Sequence, residues 1–462
     1  MLSGLITRCR LFMRAGAALL LVTALPAGSA AADMPPKGVY FPETFTLDNG
    51  LQVVVVTNRR VPVITHMIWY KVGAADEPHG ASGIAHFLEH LMFKGTDTVA
   101  AGEFSRLVAR HGGRDNAFTS WDYTGYYQTV ASDRLEMVMR LEADRMANLR
   151  LLDEEVKPER QVVLEERRQR TGNDPRDRLG EQVSATLFVH HPYGTPIIGW
   201  EPEIQKLDRE KAEAFYRQWY APNNAVLVVS GDVDAAQLKP LAEKYYGVIR
   251  PRPVPSRTRV EEPGLGAERR VILRHEEVRQ PSLYRMYVAP SYHRGETRHA
   301  YPLQVLAEIM SGGNTSRLYK SLVVEQRIAT GASLGYSPGF WDYGTLSVGV
   351  SPVPGVELAK AEEAMAAEIR KLLLQGVTEE EVETAKRRML ADAAYARDSL
   401  TGPAYAFGIA LATGQTVDDV ESWPQRIAAV TADQVNAAAH AVLDQPGPVI
   451  GVLLPAGDPK GS

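Results

Sequence analysis

The chain is almost devoid of cysteine. Its only thiol, Cys9, precedes the first apolar run of the 462-residue sequence, where a lipid-attachment cysteine would not stand. One cysteine cannot form an intramolecular disulfide. The folded part of the protein, about 430 residues, must therefore be stabilised by burial of a hydrophobic core.

Long apolar runs are missing as well. The run at residues 15–25 spans eleven positions, about half of what a membrane helix needs. Arg8, Arg10 and Arg14 precede it and small residues follow at 28–32, which is the order of a secretory signal. We therefore predict that residues 1–32 are a cleavable signal peptide and that the mature protein is periplasmic or secreted, without stable membrane insertion. An uncleaved amphipathic anchor is the alternative.

Positive charge is also in short supply. The net charge is −5, and it becomes −8 once the three arginines of residues 1–32 are removed. Such an acidic chain is poorly suited to nucleic acid or an anionic membrane surface as its main partner. The basic run from Arg167 to Arg170 follows acids on a predicted helix, and we interpret it as a solvated face. The length predicts two or three domains.

The stretch His86-Phe87-Leu88-Glu89-His90 carries the strongest chemical signal. On a helix, imidazoles four residues apart lie one turn from each other, and Glu89 projects from nearly the same side. Zinc binds neutral imidazoles, and a hydrolytic zinc site keeps one position open for a water that a carboxylate can deprotonate. The order HxxEH is the inverzincin signature. We predict that His86 and His90 bind one Zn²⁺ per chain, with Glu89 as the base. Two satisfied core histidines are the alternative.

The surroundings of this motif favour a helix. Ser82 can cap its amino end, and Lys94-Gly95 supplies a cation and a stop at its carboxyl end. Apolar residues recur at helical spacing and predict a buried stripe: Ile84, Phe87, Leu88 and Leu91.

The third metal ligand must come from another segment. In the next strongly acidic predicted helix, Glu159 and Glu166 are seven residues apart and share a stripe with Val162 and Val163. Glu165 points about a quarter-turn away from that stripe. Helix geometry therefore favours Glu166 as the ligand, with Glu159 behind it to orient a ligand or the water. For Glu159, an ordinary salt-bridged helix acid is the alternative.

Strand signals precede the motif. The segment up to Leu47, the turn Asp48-Asn49-Gly50 and the run Leu51–Thr57 predict a β-hairpin. Asn-Gly tolerates the positive φ that a type I′ turn needs at both central positions, so this turn type is predicted. A third strand is predicted at Val63–Val72, leading towards the metal helix.

The second half repeats this order without the metal motif. Residues 248–266 are rich in proline and charge and predict a linker. Strands are predicted at 270–275 and 282–288, a helix at 298–310, and a second helix from a capping box at Thr378 to about Ala396. We interpret the chain as two homologous α+β domains, a catalytic one at 33–247 and a non-catalytic one at 267–462. His275, His293 and His440 are expected at the surface or in loops.

The motif and its spacing resemble the pitrilysin/insulinase family of zinc peptidases. HFLEH is followed after 75 residues by a Glu in the setting ERQVVLEE, a spacing typical of that family. Position by position, the resemblance implies Glu166 as the metal ligand and Glu159 as the auxiliary acid. The stretches His191–Gly194 and Trp219–Asn224 are also similar to the family. The implied fold is half of a clam shell, in which each domain is a mostly antiparallel sheet packed with helices.

The resemblance also implies a substrate-binding strand. Asn116-Ala117-Phe118-Thr119 looks like the family's edge strand, with which the substrate backbone pairs. An edge strand is a template for an added extended peptide and binds it through the main chain. The substrate-binding residues implied are Asn116 and Ala117, with Phe118 and Thr119 beside them. For Asn116, a capping residue in a loop is the alternative.

One departure from the family bears on the partner. In the family, the far half of the shell contributes an Arg and a Tyr that stabilise the oxyanion, but the matching positions here are Val323 and Thr330. Valine cannot donate a hydrogen bond, and loss of an oxyanion donor costs ~10²- to 10³-fold in rate. We therefore expect a heterodimer in which a second two-domain chain supplies the Arg and Tyr. A homodimer that uses Arg327 or Tyr336 is the rival.

The function expected from this pattern is a zinc metalloendopeptidase acting on short or unfolded peptides in a closed chamber. Glu89 would take a proton from the metal-bound water and return it to the leaving amine. A catalytically silent binding or assembly protein of the same fold is the main alternative. A zinc enzyme acting on a non-peptide bond is a second one, although the edge strand would have no evident use there.

Overall fold

Residues 38–457 are described by the computed structural model, so the predicted signal peptide lies outside the described residues. Within that range, none of the helices combines the length and the apolarity that crossing a bilayer demands. The described chain forms two β-sheets with helices packed against them, which confirms the predicted α+β class with two domains.

The first half contains the six-stranded sheet. Its strands are β1 (Glu43–Thr46), β2 (Gln52–Thr57), β3 (Val63–Tyr70), β4 (Arg114–Thr119), β5 (Thr124–Ala131) and β6 (Ala225–Gly231). Its helices are α1 (Ile84–Leu91), α2 (Glu103–Arg110), α3 (Leu135–Asn148), α4 (Asp153–Arg167), α5 (Pro175–Leu187), α6 (Glu201–Ile204), α7 (Arg209–Trp219) and α8 (Ala235–Tyr245). One turn of π-helix, Arg168–Gly172, continues α4.

The second half follows the same plan. Its strands are β7 (Arg269–His275), β8 (Ser282–Ala289), β9 (Ala329–Ser337), β10 (Gly344–Pro352) and β11 (Val449–Pro455). Its helices are α9 (Ala300–Ser311), α10 (Leu358–Gln375), α11 (Glu379–Ala396), α12 (Gly402–Ala412), α13 (Val417–Glu421), α14 (Trp423–Ala428) and α15 (Ala432–Leu443). A π-helical segment, Tyr319–Glu325, precedes β9. The predicted strands and helices of this half are confirmed to within a few residues.

The two sheets share one topology. The first has the order β1-β2-β6-β3-β5-β4 and the second β7-β11-β8-β10-β9, so each strand except β1 has a counterpart. The parallel pair β2·β6 corresponds to β7·β11, and the antiparallel pair β3·β5 to β8·β10. β4 is one of the two edge strands of its sheet, β1 being the other, which confirms the edge position predicted for Asn116–Thr119.

Each half covers the sheet of the other with one helix. Helix α5 of the first half packs on β7, β8 and β11, while α12 of the second half packs on β2, β3 and β6. Strand β6 is buried along its whole length and β3 along all but its first residue, because helices cover both faces of the sheet. Gly408 lets α12 approach closely, since a β-carbon there would collide with the indole of Trp69.

The first hairpin forms, but its turn differs from the predicted type. Thr46 pairs with Gln52, and Leu47 and Leu51 close the connection through a backbone hydrogen bond of 3.0 Å. Gly50 has φ of +89°, whereas Asn49 is not among the described residues with positive φ. The type I′ prediction was therefore wrong. The side chain of Asn49 is held by the carbonyls of Tyr246 and Ile249, a long-range contact that local turn preferences do not include.

Candidate metal centre

Helix α1 begins at Gly83, whose φ of +88° turns the chain into the helix. The prediction that Ser82 caps this helix was wrong, because its hydroxyl accepts a hydrogen bond from the backbone N–H of Trp200 instead. Glu77 takes the capping role. Its carboxylate accepts the backbone N–H groups of Gly83 and Ala85, both at 2.9 Å. A negative charge at this end also complements the helix dipole.

Helices α1 and α4 bring three potential metal ligands together. One ligand atom each from His86, His90 and Glu166 lies within 4.8 Å of the other two. Oε2 of Glu166 is 3.1 Å from Nε2 of His90 and 3.7 Å from Nε2 of His86. Glu165, the neighbour that helical phase had set aside, is exposed and pairs with Arg168.

A second set of contacts holds His90 and Glu166. Oε1 of Glu159 is 2.9 Å from Nδ1 of His90, and its Oε2 is 2.5 Å from Nζ of Lys94. The other oxygen of Glu166, Oε1, is 3.0 Å from Arg170. Glu159 therefore lies behind His90 and is also salt-bridged, so the two interpretations of this residue from the sequence coexist in the structure.

These contacts change the protonation of the cluster. Burial and the neighbouring His90 lower the pKa of His86 to about 4. Burial alone would lower the pKa of His90, but hydrogen bonds to Glu159 and Glu166 outweigh it and raise this pKa to about 9. The hydrogen bond from His90 lowers the pKa of Glu166. Two imidazole nitrogens and a carboxylate oxygen are a donor set that fits Zn²⁺, and metal binding would displace the proton that the two acids favour on His90.

Glu89 projects beside this cluster and is nearly buried, at 9 % exposure. Burial raises the pKa of its carboxyl group, and a hydrogen bond from Thr119 partly offsets this effect. The hydroxyl of Thr119 donates to Oε2 of Glu89 at 2.5 Å. This contact joins the metal helix to the edge strand β4.

A cavity of about 820 Å³ opens in front of the cluster. Its lining contains all nine residues that the sequence analysis assigned to the site: His86, Glu89, His90, Asn116, Ala117, Phe118, Thr119, Glu159 and Glu166. Asn116 is exposed, and its side-chain oxygen accepts the backbone N–H of Ala117. The far wall is formed by helix α5, through Asp177, Gly180, Glu181 and Ser184.

Three side chains at or near this cluster were not predicted from the sequence. Arg170 lines the cavity and pairs with Glu166, but its side chain is 70 % exposed, in agreement with a solvated face. Arg167 is 12 % exposed and pairs with Glu181 at 3.0 Å, so that interpretation was wrong for Arg167. The four-residue spacing from Glu166 to Arg170 was a signal that could have revealed their pairing. Glu77 had no such signal, because its role depends on how a loop folds back.

The residues at the expected oxyanion positions lie elsewhere in the described chain. Val323 is in the π-helical segment and Thr330 in β9, and neither is among the residues that line the cavity. Arg327 is exposed with φ of +55°, and the hydroxyl of Tyr336 donates to the carbonyl of Pro290 at 2.6 Å. Within residues 38–457, these two rival donors also lie outside the cavity lining.

Two family models match the chain. Residues 52–201 match the model described as Insulinase (Peptidase family M16), and residues 206–389 match the one described as Peptidase M16 inactive domain. The second match covers the part of the chain in which HxxEH does not occur.

Curated relatives and solved structures cover most of the chain. The zinc protease PqqE of Helicobacter pylori is 32 % identical over 82 % of this chain and 84 % of its own. An uncharacterized zinc protease of Mycobacterium leprae is 31 % identical over 87 % and 89 %. The crystal structure of a protease from Helicobacter pylori superposes with a TM-score of 0.83 at 29 % identity, covering 90 % of this chain and 99 % of that one. The first half of the periplasmic protease PqqL from Escherichia coli, at 19 % identity, shares the fold with a TM-score of 0.78 over 91 % and 92 %.

Proposed function

Because the chain belongs to the insulinase (M16) family of peptidases, we propose that it is an active zinc metalloendopeptidase that hydrolyses short or unfolded peptides. The observation that carries the proposal is the convergence of His86, His90 and Glu166 within 4.8 Å, beside Glu89. The relatives named zinc proteases agree with this chemistry.

His86, His90 and Glu166 would hold the ion, one per chain. A bound zinc ion lowers the pKa of a coordinated water and polarises a peptide carbonyl. Glu89 accepts the proton of the attacking water and delivers it to the leaving amine. Thr119 fixes the orientation of the Glu89 carboxylate through its hydrogen bond. Glu159 orients His90 through Nδ1, and Lys94 holds Glu159 in turn.

The substrate would bind as an added strand on β4. This strand pairs only with β5 among the described residues, so its outer edge is available to an extended backbone. Pairing through the main chain places few demands on sequence, which suits a peptidase of broad specificity. Asn116 and Ala117 would hold the substrate backbone, with Phe118 and Thr119 completing the wall of the cavity.

The partner we propose is a second two-domain chain without HxxEH, which would supply the Arg and Tyr that stabilise the oxyanion. Val323 cannot donate a hydrogen bond, and Thr330 lies outside the cavity lining in the described chain. The rival homodimer would need Arg327 or Tyr336 to reach the cavity of the other copy. A closed chamber formed by two such chains would exclude folded proteins by size.

We further propose that residues 1–32 direct the chain to the periplasm or the exterior and are removed. The mature protein would comprise a catalytic domain at 33–247, a linker at 248–266 and a non-catalytic domain at 267–462. Support comes from the order of charge, apolar run and small residues at the start of the sequence. The E. coli structural neighbour is described as a periplasmic protease.

One experiment tests the catalytic proposal. Purified protein, alone and mixed with a candidate two-domain partner chain, is assayed on an unfolded polypeptide, then after removal of metal with a chelator, and again after addition of zinc. Activity should disappear and return, and Glu89→Gln should bind zinc but remain inactive. Hydrolysis that persists without metal, or a fully active Glu89→Gln, would refute the proposal. A zinc-loaded protein that binds peptides without cleaving them, with the partner chain present, would favour the silent binding protein.

A further inference from the structure

Arg259, in the segment between α8 and β7, is a buried arginine that bridges two acids. Its Nη1 is 2.7 Å from Oδ1 of Asp76, and its Nη2 is 3.4 Å from Oδ1 of Asp122. The exposed fractions of the three side chains are 5 %, 1 % and 1 %. Burying a charge has an unfavourable desolvation free energy unless the charge is paired. The rest of the fold must therefore hold these three charged side chains together.

The first of these acids belongs to the loop that leads into the metal helix. Oδ2 of Asp76 accepts the backbone N–H of Gly73, and the next residue, Glu77, caps α1 through Gly83 and Ala85. Ala85 immediately precedes His86. The position of Asp76 is therefore linked, through one cap, to the start of the helix that carries both histidines and Glu89.

The second acid belongs to the turn that ends the proposed substrate strand. Asp122 lies between β4 and β5, and its Oδ2 accepts the hydroxyl of Tyr193 at 2.6 Å and the backbone N–H of Trp341 at 3.0 Å. Arg257 donates to the backbone carbonyl of Asp122. The turn is thus held from the first half, the connecting segment and the second half.

The two elements also touch directly. The backbone N–H groups of Ala74 and Ala75 donate to the carbonyls of Ser120 and Trp121 at 2.9 and 2.8 Å. A β-carbon at Gly73 would collide with the carbonyl oxygen of Ser120. The loop before α1 and the turn after β4 therefore pack directly against each other, and Arg259 contacts both through its two ion pairs.

We infer that Arg259 is a positioning residue that fixes the metal helix relative to the substrate strand. This inference rests on the proposed peptidase function. A peptide on β4 must present its carbonyl to the metal ligands and Glu89, which are carried by a different element. A shift of the strand by about 1 Å can cost ~10²-fold in rate even when all reacting groups are present. Arg259 is not among the described residues that line the cavity, so its effect would pass through Asp76 and Asp122.

The test compares variants of Arg259 with a matched control. Arg259→Met removes both ion pairs, and Arg259→Lys keeps a cation without the planar fork that reaches two acids. Arg317→Met is the control, because Arg317 pairs with Glu381 in the second half, at 2.6 Å through Nε and again through Nη2. This control pair is less buried, with exposed fractions of 21 % and 32 %. Each protein is zinc-loaded and assayed as the complex in which it is isolated. Folded fraction, zinc content, kcat and KM are measured, with the absorption spectrum of the cobalt-substituted protein as a record of the ligand set.

We expect Arg259→Met and Arg259→Lys to lower kcat by about 10- to 100-fold per folded molecule, with KM within about twofold of wild type. Zinc content and the cobalt spectrum should be unchanged. Arg317→Met should keep its kcat per folded molecule. If Arg259→Met does not fold, Arg259→Lys and Asp122→Asn carry the test.

Two results would overturn the inference while leaving the peptidase intact. In the first, the Arg259 variants keep the wild-type kcat. In the second, their kcat per folded molecule falls no further than that of Arg317→Met. An inactive wild-type protein with zinc bound would instead overturn the proposed function, and this inference with it.

Discussion

The hydroxyl of Thr119 donates a 2.5 Å hydrogen bond to Oε2 of Glu89. Thr119 is the last residue of the edge strand and Glu89 lies on the metal helix, so the bond joins the proposed base to the surface on which the substrate would lie. A hydrogen bond to a charged group contributes about 1.5–3 kcal/mol, and each ~1.4 kcal/mol corresponds to a factor of ten in rate.

Replacing Thr119 should therefore impair the chemical step. We expect Thr119→Val to lower kcat about tenfold or more, with KM within about twofold, because the carboxylate loses the donor that orients it. Thr119→Ser keeps the hydroxyl and should retain most of the activity. Steady-state kinetics at saturating zinc provide the measurement, and equal losses in the two variants would argue against an orienting hydrogen bond.

Substitutions at two neighbouring glutamates of α4 should differ in their effect on zinc affinity. Glu166→Gln removes the charged ligand atom that faces both histidines, so zinc affinity should fall by more than about 100-fold. Glu165→Gln alters an exposed side chain that pairs with Arg168 and should leave zinc binding unchanged. Zinc titration of the metal-free proteins measures both affinities, and similar values for the two variants would exclude Glu166 as a ligand.

The isolated chain should be a weak peptidase. Without oxyanion donors from a sister chain, we expect its kcat to be ~10²- to 10³-fold below that of the complex. The measurement is peptide hydrolysis before and after mixing with a candidate two-domain chain that lacks HxxEH. Full activity of the isolated chain as a monomer would contradict the partner proposal, and full activity as a dimer of itself would favour the homodimer.

The packing of helix α12 on the first sheet should contribute strongly to the stability of the protein. Phe407 is fully buried against that sheet and contacts the ring of Tyr40 at a centroid distance of 5.7 Å. We expect Phe407→Ala to lower the free energy of unfolding by about 3–5 kcal/mol, because it leaves a cavity between the two halves. Leu374→Ala, at a side chain that is 86 % exposed, should change it by less than about 0.5 kcal/mol. Denaturant unfolding compares the two, and equal effects would show that α12 contributes little.

The parts of the site that were predicted without the family resemblance share one property, which is local periodicity. The phase of α4 separated Glu166 from Glu165, and the HxxEH spacing put His86 and His90 on one face of α1. The capping box between Thr378 and Glu381 likewise identified the start of α11, where the hydroxyl of Thr378 accepts the N–H of Glu381. Each inference needed only residues within a few turns of one another. The second half was predicted in the same way, from the order of its elements.

What the sequence could not predict depends on contacts between distant residues. Glu77 replaced Ser82 as the cap of α1 because a loop folds back, and Ser82 was engaged by Trp200, 118 residues away. Arg259 and Asp76 are 183 residues apart, and their pairing leaves no periodic trace. The packing of α5 and α12 on the sheet of the opposite half was also not predicted, since the apolar face of a helix does not specify which sheet it covers. These contacts depend on how the whole chain folds, and not on local sequence.

The packing of each helix on the opposite sheet has a mechanical consequence for the proposed peptidase. Helix α5 rests one side on the second sheet and turns its other side to the cavity, so the domain without ligands carries part of the chamber wall. Separating the halves would uncover both sheets at once, and they are therefore expected to move as a single body. If a second chain closes the chamber as proposed, we expect a peptide to enter at the seam between the two chains rather than between the halves of this one.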